Sequence, residues 1–135
     1  MKAFSLVCLI ILLACSGPKT TAPALPEMPA SGQVAVIYLH TSEGCAICNA
    51  VGQIARETVE KTFADWQKEG RIVFRSYDLD DPGVDDFARK LGVSVKSLLV
   101  VKDGKVIDLT ADAFLYALAN PEKYKTLLQQ TINSL

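Results

Sequence analysis

Two cysteines three positions apart, Cys45 and Cys48, fall where a β-branched, apolar run gives way to a helical period, and this junction constrains the fold more than any other feature. Before it, Val34 to His40 (VAVIYLH) shows no two-residue alternation, the pattern of a central strand covered on both faces. After it, Ile47, Val51, Ile54, Ala55, Thr58, Val59, Phe63 and Trp66 recur at three- and four-residue steps, opposite Arg56, Glu57, Glu60, Lys61 and Lys68. This predicts one helix from Cys45 to about Lys68, closed by Gly70. Arg71 to Leu79 reads as a second strand, Asp81-Pro82-Gly83 as a turn, and Val84 to Leu91 as a short helix stopped by Gly92. Ser97 to Val101 and Lys105 to Leu109 flank Lys102-Asp103-Gly104, a hairpin turn. Asn120 and Pro121 supply the cap and first residue of a terminal helix carrying Tyr124, Leu127, Leu128, Thr131 and Leu135. The order βαβαββα predicts an α/β fold. Two parallel strands are joined by a right-handed crossover and an antiparallel hairpin follows, giving a central four-stranded mixed sheet flanked by helices.

That domain, residues 34–135, is preceded by segments of a different kind. Lys2 followed by the apolar run Ala3 to Ala14 has the charged start and short greasy stretch of an export signal. About a dozen apolar residues fall short of the roughly 20 that a bilayer span needs. The run ends in Leu12-Leu13-Ala14-Cys15, which resembles the lipobox of bacterial lipoproteins. The resemblance implies that residues 1–14 are a signal peptide, that cleavage precedes Cys15, and that Cys15 is lipidated on its thiol and new amino group, an anchor to the membrane. The alternative is an ordinary secretory signal with a chance cysteine. On the lipoprotein reading the protein is lipid-anchored in the cell envelope, facing the periplasm, and Ser16 in place of Asp favours the outer membrane if the cell has two. Residues 15–33, broken by Pro18, Pro23, Pro26 and Pro29, read as a flexible tether. Semi-extended, it would hold the domain up to roughly 50 Å off the surface. A fixed arm packed near Ala24 to Met28 is the alternative. Lys and Arg number 14 against 15 Asp and Glu and are scattered among them, which argues against a nucleic-acid partner.

Of the four cysteines, Cys8 leaves with the signal and Cys15 carries the anchor, so Cys45 and Cys48 are each other's partners in the folded domain. In an oxidising compartment a C-x-x-C pair between strand and helix is the usual arrangement of a redox dithiol. Free backbone N–H groups and the helix dipole favour a negative sulfur at the first turn, which makes Cys45 the nucleophile and Cys48 the resolving thiol of a disulfide exchange that calls for no cofactor. Two other readings stay open. One is a fixed structural disulfide, which would survive mild reductant. The other is a non-enzymatic binding module in which Cys45, Cys48 and His40 hold a soft metal such as Cu(I) or Zn(II). His40 is otherwise a strand-end histidine with a local hydrogen bond, or a proton relay. Asp78, Asp80, Asp81, Asp85 and Asp86 lack EF-hand spacing and read as a turn plus helix N-terminal charge. Phe114 and Tyr116 lie in TADAFLYALAN, with core packing as the default and a place near the dithiol as the alternative.

VAVIYLHTSEGCAIC, IVFRSYDLDDPGVDDFARKLGV and LLVVKDGKV, in that order, resemble the thioredoxin-like superfamily over nearly all of residues 34–135, in a minimal version without the family's initial strand and helix. The resemblance implies a thiol-disulfide oxidoreductase, a reductase or isomerase acting on exported protein substrates and drawing on an unidentified membrane electron donor. Several positions depart from the family pattern. Counting back from LLVVKDG puts Lys96, followed by Ser97, where the family carries a cis-proline, and no proline of the chain is available there. Trans peptides and a remodelled substrate ledge are therefore expected, with Lys96 and Ser97 as accessory residues and Lys96 itself a solvated loop lysine. Leu39, six residues before Cys45, takes the place of a buried acid, and Gly44 that of an aromatic. Apolar Ala46-Ile47 adds no charge and Glu43 opposes a thiolate, so the dithiol is expected to be neither very acidic nor strongly oxidising.

Overall fold

The computed structural model describes residues 25–135. The expected signal peptide, the anchor at Cys15 and the tether up to residue 24 lie outside the described residues. Strand β1 (Val34–His40) is central in the sheet order β2-β1-β3-β4. It runs parallel to β2 (Ile72–Asp78), with Val34 opposite Ile72 and His40 opposite Asp78, and antiparallel to β3 (Ser97–Lys102), with Leu39 opposite Ser97. Strand β4 (Lys105–Asp108) pairs antiparallel with β3 across a turn whose two central residues, Asp103 and Gly104, both have positive φ (49° and 80°). That is the conformation a two-residue hairpin needs and the reason Gly follows Asp.

Both faces of β1 are covered, which explains its unbroken apolar sequence. Val34, Val36 and Tyr38 face one core with Val51, Ala55 and Val59 of helix α1 (Ala46–Thr62) and Tyr124, Leu128 and Ile132 of the terminal helix. Ala35, Ile37 and Leu39 face the other, against Val84, Phe87 and Ala88 of helix α3 (Val84–Lys90). The chain has the mixed four-stranded sheet and βαβαββα topology of the thioredoxin-like fold.

Two elements differ from the sequence reading. The single helix expected from Cys45 to about Lys68 breaks at Phe63, whose φ and ψ of −112° and 28° leave the helical region, and resumes as α2 (Ala64–Lys68). The break lets Phe63 enter the core at 5 % exposure while Trp66 packs against it, the rings tilted by 54° with centroids 5.3 Å apart, and receives the Arg71 guanidinium on its face at 4.1 Å. A second addition is helix α4 (Thr110–Tyr116), started by Asp108, whose carboxylate accepts from the Thr110 N–H at 2.8 Å. Helix α5 (Pro121–Asn133) begins as read, with Asn120 Oδ1 accepting from the Lys123 N–H at 3.1 Å and Pro121 in the first turn. Residues 25–33 lie along the domain: the Glu27 carbonyl accepts from Arg75 at 2.6 Å, the Gly32 N–H donates to Asp103 at 2.8 Å, and Gln33 donates to the Gly70 carbonyl at 2.9 Å. Among the described residues no helix is long and apolar enough to cross a membrane.

Candidate redox site

Cys45 and Cys48 form a disulfide with Cα atoms 5.1 Å apart. Their surroundings are unequal because of where α1 begins. Cys45 has extended dihedrals (φ −129°, ψ 157°) and is the N-cap, so its Sγ stands where a Ser or Asp oxygen would and accepts from the Cys48 N–H at 3.2 Å. It is exposed. Cys48, inside the first turn, is 5 % exposed. The first turn of α1 carries no acidic residue to compete with a negative sulfur for its free N–H groups.

The loop leading into Cys45 is pinned by β2. Parallel register places Asp78 beside His40, and Asp78 accepts from Ser42 Oγ at 2.6 Å and from the Asp80 N–H at 2.9 Å. These two donors, Ser42 first, hold the Asp78 carboxyl below its usual range. From sequence alone this acid belongs to a turn and a helix terminus. Its position at the end of a strand parallel to β1 was the available signal for the contact with Ser42.

Beneath Cys48 the structure corrects the count made from the sequence. Leu39, expected in place of the buried acid, turns into the α3-side core. The residue under the dithiol is Tyr38, whose hydroxyl donates to the Cys48 carbonyl at 2.8 Å, and whose burial raises its pKa. A phenol held protonated there is a donor that clamps the first turn and not a proton acceptor for sulfur.

His40 Nδ1 lies 3.2 Å from the Thr41 carbonyl, and its ring stands 5.5 Å from that of Tyr38, the local arrangement of a strand-end histidine. Among the described residues no three His, Cys, Asp or Glu side chains are grouped to hold a metal ion. Cys45, Cys48 and His40 therefore do not form a three-ligand group, the fullest set the metal-binding alternative offers. Ser97 is 1 % exposed and its hydroxyl donates to the Val95 carbonyl at 2.8 Å, which ties down the approach to β3. Lys96, expected as a solvated loop lysine, is instead half-buried and brings Nζ to 3.8 Å from Cys48 Sγ. Among the described residues every peptide bond is trans.

One pocket reaches Cys48 itself, and a second opening lies beside Lys96. A pocket of about 350 Å³ lies between α1 and the ends of β1 and β2, lined in part by Tyr38, His40, Cys48, Asn49 and Arg56. A larger groove, about 670 Å³, runs past Lys96 between Thr41, Leu79, Val95 and Phe114. Phe114 thus packs against the core and lines the groove as well, so α4, absent from the sequence reading, borders the site. The arrangement is that of a redox-capable thiol-disulfide centre, with one sulfur presented to solvent and its partner covered. No protein-family model and no curated protein matches the chain.

Proposed function

We propose that the protein is a thiol-disulfide oxidoreductase of the cell envelope, held to a membrane through lipidated Cys15, that reduces or isomerises disulfides of exported proteins. The observation that carries this reading is the inequality of the two sulfurs: Cys45 is exposed at the mouth of α1 and Cys48 covered one turn inside, within bonding reach. In the reduced protein the Cys45 thiolate attacks one sulfur of a substrate disulfide, and the other substrate sulfur leaves with the electron pair and takes up a proton. Cys48, deprotonated, then attacks Cys45 Sγ. The Cys45–Cys48 bond forms, the bond from Cys45 to substrate breaks, and the substrate sulfur leaves as a second thiol. The substrate gains two electrons and the dithiol loses them, so each reductive turnover consumes two electrons and two protons from a thiol donor at the membrane. The groove beside Lys96 offers room for the chain flanking the substrate's disulfide.

Insulin disulfide reduction by the full-length protein with dithiothreitol as donor tests the assignment. Cys45→Ser abolishes turnover, and Cys48→Ser accumulates a mixed disulfide at Cys45 that mass spectrometry detects. Turnover that persists undiminished in Cys45→Ser refutes the assignment. A glutathione titration then sets the direction of transfer, with a potential near about −270 mV marking a reductase and one near about −120 mV an oxidant.

A further inference from the structure

We propose that Lys96 is the charge partner of the resolving sulfur: once the disulfide opens, its ammonium stabilises the Cys48 thiolate and readies Cys48 to attack the mixed disulfide without a buried acid or base. The inference rests on the oxidoreductase reading and adds to it the group that makes the second step possible.

Cys48 is only 5 % exposed, and a bare thiolate there loses most of its solvation. Something must replace that water. The residue directly beneath, Tyr38, has its hydroxyl committed to the Cys48 carbonyl and is held protonated by burial. Lys96 Nζ approaches to 3.8 Å from Cys48 Sγ, a contact made between residues 48 positions apart. The approach is set by backbone constraints on both sides of β3's start. Ser97 pairs with Leu39 in the sheet and donates to the Val95 carbonyl, and the Leu98 N–H donates to Thr110 Oγ1 at 3.0 Å.

The other charged or titratable groups around the dithiol do not cancel this one. Asp80 lines the same groove as Lys96, yet among the described residues no carboxylate comes within 4.0 Å of its Nζ to form an ion pair. Asp78 is occupied by Ser42 and the Asp80 N–H. His40, Tyr38 and Arg56 face Cys48 across the smaller pocket, and Glu43 lies exposed in the preceding loop. A cation against the buried sulfur thus comes from the loop that leads into β3, at the position where the family carries proline, and not from between the cysteines. In the resolving step the proton of Cys48 goes to solvent. Cys48 Sγ bonds to Cys45 Sγ, and the substrate sulfur departs with the electron pair of the broken bond and is protonated by water.

The test isolates Cys48. In the full-length Cys45→Ser protein, iodoacetamide alkylation of Cys48 is followed across pH by mass spectrometry of its own peptide, so that Cys8 and Cys15 do not contribute. Adding Lys96→Met moves the alkylation midpoint up by about one pH unit or more, roughly a tenfold loss of thiolate at neutral pH, whereas Lys96→Arg keeps most of the effect. The midpoint reports ionisation and the high-pH plateau reports access, so a merely steric role for Lys96 would change the plateau alone. In the protein with both cysteines, Lys96→Met prolongs the lifetime of the mixed disulfide about tenfold. A midpoint that stays in place in Lys96→Met while the unaltered protein reduces insulin overturns the role of Lys96 and leaves the oxidoreductase standing. A midpoint that moves in a protein reducing no disulfide supports the charge contact and overturns the catalytic reading on which its purpose depends.

Discussion

Gly52 is the position where a single methyl group tests how the active-site turn is supported. A Cβ built there would lie 2.8 Å from both Cδ1 and Cε1 of Tyr38, well inside the roughly 3.5 to 4.0 Å at which carbons rest against each other. The ring has little room to retreat, because Tyr38 is 4 % exposed and its hydroxyl is engaged with the Cys48 carbonyl. In an open helix Gly→Ala would stabilise by about 0.5 to 1 kcal/mol. Overpacking a filled core costs about 1 to 3 kcal/mol, and displacing the phenol forfeits a hydrogen bond worth about 0.5 to 1.5 kcal/mol. The unfavourable terms win, and Gly52→Ala is expected to destabilise the oxidised protein by about 2 kcal/mol. Urea unfolding followed by circular dichroism reads this as a lower midpoint with an unchanged slope. The reasoning also requires coupling: in a Tyr38→Leu background, where the ring is gone, the penalty of Gly52→Ala disappears or reverses. A Gly52→Ala protein as stable as the parent, or penalties that simply add in the double variant, would refute the claim that Tyr38 is wedged between Gly52 and Cys48.

Two further outcomes are expected. Cys15→Ala releases the protein from the membrane fraction and removes the acyl mass from its N-terminal peptide; equal membrane retention in the variant would end the lipoprotein reading. Asp78 has a carboxyl pKa lowered in the folded state, with the Ser42 hydrogen bond the leading cause. Its contribution to holding the active-site loop is therefore complete above the ordinary carboxyl value of 3.8 and is lost as pH falls through the lower folded value. Ser42→Ala removes the loop's bond to Asp78 at every pH and raises that folded value toward the ordinary one, so less stability is lost on acidification. A carbon-detected NMR titration showing the same Asp78 midpoint in both proteins would contradict this.

The parts of the fold that could be read from the sequence are those written in local chemistry. A β-branched run, a Gly at a positive-φ hairpin position and an Asn-Pro helix start each act within a few residues, and β1, the β3–β4 turn and α5 formed where they pointed. The break at Phe63 was hidden because Phe63 and Trp66 continue the helical spacing of apolar residues. Only the need to bury one ring and leave the other under Arg71 bends the chain there. Helix α4 was hidden because no Gly or Pro adjoins its ends, whereas α3, of the same seven-residue length, lies between Pro82-Gly83 and Gly92.

The site shows a deeper limit. The C-x-x-C pair could be recognised because spacing, capping position and helix dipole are all local, but every group that conditions the sulfurs comes from elsewhere in the chain. Placing a residue beneath Cys48 by counting back from Cys45 requires knowing which way the strand's alternation falls, and β1, apolar on both faces, conceals it. One position decides between Leu39, pointing toward α3, and Tyr38, pointing toward the dithiol. With Tyr38 there, the resolving cysteine has a clamp below and no acid. The cation in contact with its sulfur then enters across the sheet from Lys96, through the antiparallel pairing of β1 with β3. A lysine in a loop looks solvated in any one-dimensional reading. It becomes chemistry only when sheet register sets its stem beside a buried sulfur, so the feature that most distinguishes this dithiol is also the one least recoverable from sequence alone.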